Sequence, residues 1–323
     1  MILTVTPNPS VDRTVFLDRT VLGSVNRADH AQSEPSGKGV NVAIALHSQG
    51  RVVEAVVPVG GHVGAQLASM LEASGLPTSI VPISGELRSN ISLTEPSGRV
   101  TKINEAGPRL SESECDALID AITRRVPAAT VVVTAGSLGA GTPVDLHARI
   151  ARACGDLPVV LDSSGEPLRA GITAQPALIK PNVHELAELV GGELHTVGDV
   201  IDAAQQIRAT GVGAVLASLG ADGAVLVDAD GALQAVADID RVASTVGAGD
   251  ALLAGFLCSD GDRIDRLVSA VRWGSAAVQT AGTLFDPDDF TGSVAAGAAD
   301  PRRPLHDDEL GPATRVRQPS TNN

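Results

Sequence analysis

Tyrosine is absent from this 323-residue chain, and the remaining aromatics are four Phe and one Trp. A groove that stacks nucleobases needs rings. A nucleic-acid surface therefore has little to be made from, and the core must be aliphatic. Positive charge is also short: 24 Lys and Arg face 38 Asp and Glu, for a net charge of −14. Such an acidic chain argues against nucleic acid and anionic membranes as partners. If its ligands are phosphates, cations must be focused locally. No apolar run approaches the length of a membrane span. The opening Met-Ile-Leu-Thr-Val-Thr-Pro-Asn-Pro carries no basic leader or cleavage site, which predicts a cytoplasmic protein. Cys115, Cys154 and Cys258 are too few and too scattered for a disulfide framework or a metal cluster, and read as small core residues.

What the chain does have is Ala, Val, Leu and Gly. A hydrophobic fraction of 43% with 19% charged residues suits a sizeable core. The length fits one large α/β domain with an insertion. Residues 2–6 read as a strand ended by Pro7-Asn8-Pro9. Residues 14–34 alternate loosely and predict short strands, 52–61 a strand, and 63–74 an amphipathic helix. Residues 88–105 read as a hairpin turning at Pro96-Ser97-Gly98. Together the two β pieces, about 12–34 and 88–106, predict a small sheet that interrupts the α/β order. It could be a lid that excludes water, an oligomerisation sheet, or both. From 111 onward, helices (111–125, 143–153, 199–210) alternate with strands (130–134, 158–162, 177–180, 214–218, 224–227). This predicts a mostly parallel sheet flanked by helices. The domain is expected to span 1–300, with the charged, Pro-rich residues 301–323 as a disordered tail.

One stretch dominates, Ser-Thr-Val-Gly-Ala-Gly-Asp-Ala-Leu-Leu-Ala-Gly-Phe-Leu-Cys-Ser at 244–259. Leu252, Leu253 and Phe256 recur at helical spacing, so a helix should start near Gly249. Glycines let the backbone approach a ligand with its N–H groups turned outward, and a helix N-terminus adds partial positive charge. Asp250 would repel an anion there unless it takes a proton from a hydroxyl while the N–H groups hold the phosphoryl group under attack. The plainer alternative is a Gly-rich loop followed by an early helical acid. Ser36-Gly37-Lys38-Gly39 opens a second helix, with Lys38 as a point charge. Its spacing is not that of a Walker A loop. Asn41 could reach a ligand hydroxyl from the first turn, or merely cap the helix. Asp12 lies just beyond strand 2–6, where open α/β sheets bind ligands, or else serves the bend itself.

Four motifs stand in order: Ser-Gly-Lys-Gly-Val-Asn-Val-Ala at 36–43, Lys-Pro-Asn-x-x-Glu at 180–185, Ser-Leu-Gly-Ala-Asp-Gly-Ala at 218–224 and Thr-Val-Gly-Ala-Gly-Asp at 245–250. Each alone is a weak signal. Together they resemble the ribokinase-like (PfkB) carbohydrate kinases, from about residue 1 to 290. Thr-Pro-Asn-Pro-Ser-Val-Asp at 6–12, Gly-Ser-Val-Asn-Arg at 23–27 and Thr-Lys-Ile-Asn-Glu-Ala-Gly-Pro at 101–108 look most like the bacterial hexose-phosphate kinases, the 1-phosphofructokinases in particular.

The resemblance implies a ribokinase-like fold and ATP-dependent phosphorylation of a ketohexose monophosphate. Fructose 1-phosphate comes first, with fructose 6-phosphate and tagatose 6-phosphate as alternatives. A non-catalytic sugar-phosphate sensor is the reading from another class. Asp250 would be the general base, beside an anion hole at Gly247, Ala248 and Gly249. Asp12 and Asn41 would hold sugar hydroxyls, with Gly37, Asn90 and Ser137 at the same subsite. Lys38 and Arg88 would bind the phosphate already on the substrate, with Arg27 and Lys102. Ser218, Gly220, Ala221, Asp222 and Gly223 would line the nucleotide site, with Lys180 and Asn182 near the ATP phosphates. Glu185 would help hold Mg²⁺ through water, and Asp162 is a further candidate for the metal. A homodimer through the lid is also implied. Bland alternatives stand beside these roles: Lys180 as a solvated strand end, Glu185 as a helix-terminal charge, Arg88 as a rim salt bridge. Ser36 and Gly139 depart from the family, which often has Gly and Pro at those positions, and both touch the sugar side.

Overall fold

In a computed structural model of the chain, residues 1–280 and 285–306 are described. The first half runs β1 (Ile2–Val5), β2 (Ser10–Phe16), β3 (His30–Ser36), α1 (Lys38–Ser48), β4 (Val53–Val59), α2 (Gly61–Ala73), β5 (Thr78–Pro82), β6 (Arg88–Thr94), β7 (Val100–Asn104), α3 (Glu112–Thr123), β8 (Val131–Ala135), α4 (Leu146–Ala153) and β9 (Val159–Asp162). The second half runs α5 (Gly165–Gly171), β10 (Leu178–Ile179), α6 (Val183–Val190), α7 (Val197–Arg208), β11 (Ala214–Ser218), β12 (Ala224–Asp228), β13 (Gly231–Asp238), α8 (Ala248–Cys258), α9 (Arg263–Gln279) and β14 (Ser293–Ala298).

Ten strands form one sheet in the order β14-β13-β12-β11-β10-β9-β8-β1-β4-β5. From β5 to β11 every neighbour is parallel. The β12, β13 and β14 end is antiparallel. Parallel strands covered by helices are buried on both faces, and β8 and β9 read accordingly as near-unbroken Val, Leu and Ala. The core is aliphatic, as the missing aromatics require, and Cys115 and Cys154 lie in it. Its large ring is Trp273, buried on α9. It packs so tightly on α8 that a Cβ at Gly255 would sit 2.8 Å from its own Cβ, and it meets Phe285 edge-on at 6.0 Å between centroids.

The second sheet is the small one expected from residues 12–34 and 88–106, four strands in the order β3-β2-β6-β7. β6 and β7 form the hairpin read from residues 88–105. β2 and β6 pair in parallel, with Asp12 opposite Asn90. Asp12 is therefore a lid-strand residue, not a turn residue beyond β1.

Several elements were not legible beforehand. β5, α5, β13, α9 and β14 add to the predicted pattern. β14, Ser-Val-Ala-Ala-Gly-Ala, has one β-branched residue and is made a strand by its edge pairing with β13. The expected tail also begins too early at 301. Residues 301–306 are fixed to the body: the Val197 and Gly198 N–H groups, which open α7, donate to Arg303 O and Pro301 O at 2.9 Å each, and the Leu305 N–H donates to His195 O at 2.8 Å. The rest of the expected tail, 307–323, lies outside the described residues.

Candidate active site

Two glycine-opened helices converge beyond the C-terminal ends of β1, β8, β9 and β10. α8 starts where Gly247 adopts φ 76°, a left-handed conformation that a residue with a Cβ rarely takes. The N–H groups of Ala248, Gly249 and Asp250 have no intrahelical acceptor, as at any helix start, and α8 has no side-chain cap. They remain available to a ligand. α1 starts after Gly37, at φ 120°, where a Cβ would lie 2.7 Å from Thr6 Cγ2. The two helices pack together and bring Asn41 to Asp250, with Asn41 Nδ2 donating to Asp250 Oδ2 at 2.7 Å.

Asp250 is 9% exposed. Burial, and then the charge of Asp162, push its carboxyl up to about 6, against the opposing pull of Lys38, Asn41 and Lys180. Asp162, at the end of β9, has no exposed surface. Its two oxygens face two ammonium groups, Lys38 Nζ at 2.7 Å and Lys180 Nζ at 3.1 Å. The first contact is a hydrogen bond; at the second, Oδ2 is left without hydrogen-bond geometry. Burial works against ionisation of Asp162, but Lys180 and Lys38 outweigh it and hold the carboxyl below its usual range. Burial also works against the charge on Lys38, yet Asp162, Glu185 and Asp250 raise its pKa above the ordinary lysine value. The result is an alternating row of acids and bases under the α8 N-terminus. Lys180 reaches it from below: a Cβ on Gly249 would lie 3.3 Å from Lys180 Nζ.

Lys38, expected with Arg88 at the phosphate of the substrate, does not share its charged neighbours. Its charged neighbours are Asp162, Glu185 and Asp250, whereas that of Arg88 is Asp12. Asp162, expected near the metal, has an ammonium group within 3.1 Å of each oxygen, and only Oδ1 is hydrogen-bonded. Glu185 is the helix-terminal charge of its plainer reading. Its Oε2 accepts the Asn182 N–H at 2.9 Å while Asn182 Oδ1 accepts the Glu185 N–H, the reciprocal cap of α6. Its Oε1 lies 3.8 Å from Lys38. Among the described residues, no group of three or more His, Cys, Asp or Glu side chains is arranged to hold a metal ion.

The lid side is a second polar group. Asp12 Oδ1 accepts from Ser10 Oγ and Asn90 Nδ2, both at 2.8 Å. Arg88 donates to Asn8 O at 3.1 Å and Glu105 O at 3.3 Å, and burial lowers its pKa. Thr6 Oγ1, Asn8 Oδ1, Arg88 Nε and Asn90 Oδ1 are buried without hydrogen-bond partners among the described residues. Orphaned groups of this kind ask for a polar ligand or water. Ser137 joins this side through Asn8 Nδ2 at 3.3 Å. Arg27 and Lys102 are exposed, and their side chains make no hydrogen bond or ion pair among the described residues.

Along the next strand ends, Ser218 bridges to Asn182. The 219–223 turn is closed by Leu219 N–H to Gly223 O at 2.8 Å and Asp222 N–H to Leu219 O at 3.0 Å. Asp222 departs from the expectation of a side chain lining the nucleotide site. It is 1% exposed, and its carboxylate is turned to the C-terminal arm, onto Arg303 and His306. Sequence reasoning also missed Asn8 and His147. His147 is buried between Thr134 Oγ1 at 2.7 Å and Gly136 O at 3.1 Å, where burial lowers its pKa to about 4. It fixes the turn that carries Ser137. Nothing in the local sequence around His147 or Asn8 signals these contacts.

A family model described as "pfkB family carbohydrate kinase" matches residues 5–289. The chain is 38% identical to the 1-phosphofructokinase of Haloferax volcanii over 287 residues, 88% of this chain and 92% of that protein. The structure of phosphofructokinase-2 from Escherichia coli in complex with potassium superposes with a TM-score of 0.83 at 31% identity, over 90% of this chain and 96% of that one. A ribokinase from Thermotoga maritima, 19% identical with a TM-score of 0.71 over 90% of this chain and 96% of that one, shares the fold.

Proposed function

The chain belongs to the pfkB family of carbohydrate kinases, and from that premise we propose that it transfers the γ-phosphoryl group of ATP to a free hydroxyl of a ketohexose monophosphate, with fructose 1-phosphate as the preferred acceptor. The observation that carries the reading is a buried carboxylate, Asp250, at the start of a helix whose first N–H groups are unpaired. Asp250 accepts the proton of the sugar hydroxyl. The hydroxyl oxygen forms the new bond to the γ-phosphorus as the bond to the ADP oxygen breaks. The N–H groups of 248–250, with Lys38 and Lys180, stabilise the charge on the transferring group. Asn41 orients Asp250. Asp12, Asn90 and the orphaned Asn8 and Arg88 atoms receive the sugar and its phosphate, with Arg27 and Lys102 reaching in from the lid side. The strand ends at 180–182 and the 218–223 turn receive the nucleotide. Mg²⁺, when bound with the nucleotide, would offset phosphate charge, and Glu185 is the carboxylate assigned to it through water.

The exposed apolar side chains of the lid, Leu22, Val25, Val100 and Ile103, support a homodimer formed through that sheet.

The test of substrate is ADP release with Mg-ATP against fructose 1-phosphate, fructose 6-phosphate, tagatose 6-phosphate, fructose, ribose and adenosine. Fructose 1-phosphate should be turned over fastest. Preference for a 6-phosphate keeps the mechanism and moves the substrate. Turnover confined to uncharged sugars or adenosine sinks the phosphate subsite. The proposed base also fixes a pH profile. Asp250 must be ionised, and burial holds it up to about 6, so kcat/KM should fall about tenfold per pH unit below about 6. A flat profile down to pH 5 would remove Asp250 from this role.

A further inference from the structure

Asp222 is a charged side chain without ligand access. It is 1% exposed, and a carboxylate so buried persists only when paired. Its partners come from 81 and 84 residues further along the chain: His306 N–H at 2.7 Å, His306 Nδ1 at 2.6 Å and Arg303 Nη2 at 3.3 Å. Facing a carboxylate, Nδ1 is the ring nitrogen that carries hydrogen. The same loop is held from the sheet by Gln234 Nε2 on Asp222 O at 3.2 Å. The other side of the arm supplies the carbonyls that satisfy the first N–H groups of α7, and Pro304 bridges Thr196. Leu305 packs on the cluster that includes Leu219 and Val225, on either side of the turn.

We propose that residues 299–306 are a latch for the 218–223 turn, in which Asp222, Arg303 and His306 act as positioning residues that hold the turn in its nucleotide-receiving shape. This rests on the reading that 218–223 lines the nucleotide site. The arm touches neither Asp250 nor the lid among the contacts described, so its effect is confined to one substrate. If the latch opens, Asp222 is left buried without its donors and the turn must rearrange to reach water.

The full-length chain tests this as wild type, His306→Ala and His306→Asn, the last keeping a side-chain donor near the Nδ1 position. His306→Ala should raise KM for Mg-ATP about tenfold, the scale of a lost hydrogen bond to a charged group. Its kcat and sugar-phosphate KM should stay within about twofold, and His306→Asn should recover most of the loss. Hydrogen exchange without ligand should speed up at 218–223 in His306→Ala. Unchanged KM for Mg-ATP with unchanged exchange overturns the latch, as does an equal loss of kcat for any substrate pair without a KM change. If Mg-ATP protects amides elsewhere in the wild type but not at 218–223, the inference falls through its premise. That failure is distinct, because exchange at the turn would still quicken in the variant.

Discussion

Asp250→Asn is expected to lower kcat by about 10²- to 10⁴-fold, the usual contribution of a positioned general base, while both substrates still bind. The variant keeps the shape of the side chain and an oxygen for Asn41 Nδ2, which now donates to Asp250 Oδ2 at 2.7 Å. What it removes is the capacity to accept the hydroxyl proton. It also removes a buried negative charge. Because the folded chain holds the Asp250 carboxyl up to about 6, the ionised form is less comfortable in the fold than in the unfolded chain at neutral pH. Relief of that penalty should stabilise the variant by on the order of 2 kcal/mol. The sign follows from linkage: a carboxyl with a raised folded pKa weakens the fold above that pKa and not below the unfolded one. Steady-state kinetics together with thermal unfolding at pH 7.5 decide the matter. A slower but firmer protein is the signature of a functional strain. A variant that loses turnover and melting temperature together would make Asp250 a structural residue.

Asp162→Ala should lower stability by about 3–5 kcal/mol, the range found when one member of a buried ion pair is removed. The reason is local. Lys180 is 4% exposed and reaches Asp162 Oδ2 at 3.1 Å; Lys38 reaches Oδ1 at 2.7 Å. Removing the shared carboxylate leaves the buried Lys180 ammonium without its counter-charge, beside a Lys38 that stays partly exposed. Asp162→Asn keeps the volume and an acceptor, and should cost less. Urea unfolding followed by circular dichroism measures both. A loss below about 1 kcal/mol in Asp162→Ala would mean that the pair behaves as a screened surface contact.

The glycines that open α1 and α8 were legible because a Gly-x-Gly pattern before an apolar helical repeat has a local physical meaning. So was the hairpin of the lid, through its Pro-Ser-Gly turn. What joins these pieces was not. Asn41 meets Asp250 across 209 residues and Lys38 meets Asp162 across 124, and no spacing rule spans such distances. The acids that surround Lys38, namely Asp162, Glu185 and Asp250, were for this reason not foreseen as its neighbours. Asp222 misled for a similar reason. Its motif reads as a nucleotide turn, while the partner that buries its carboxylate lies in a segment whose charge and prolines read as a tail. β14 was hidden by composition, since its strand character comes from its neighbour and not from its own residues.

One tryptophan and no tyrosine also make this protein its own spectrometer. Trp273 is 6% exposed, on α9, and it is packed against Gly255 in the middle of the helix whose first turn carries Asp250. Ultraviolet emission excited in the indole band therefore originates at a single place. A change in colour or intensity reports the surroundings of that ring, the α8–α9 contact and Phe285, without a label and without the background that tyrosines supply. Events at the helix start that shift α8 along its axis become visible as light from its far side.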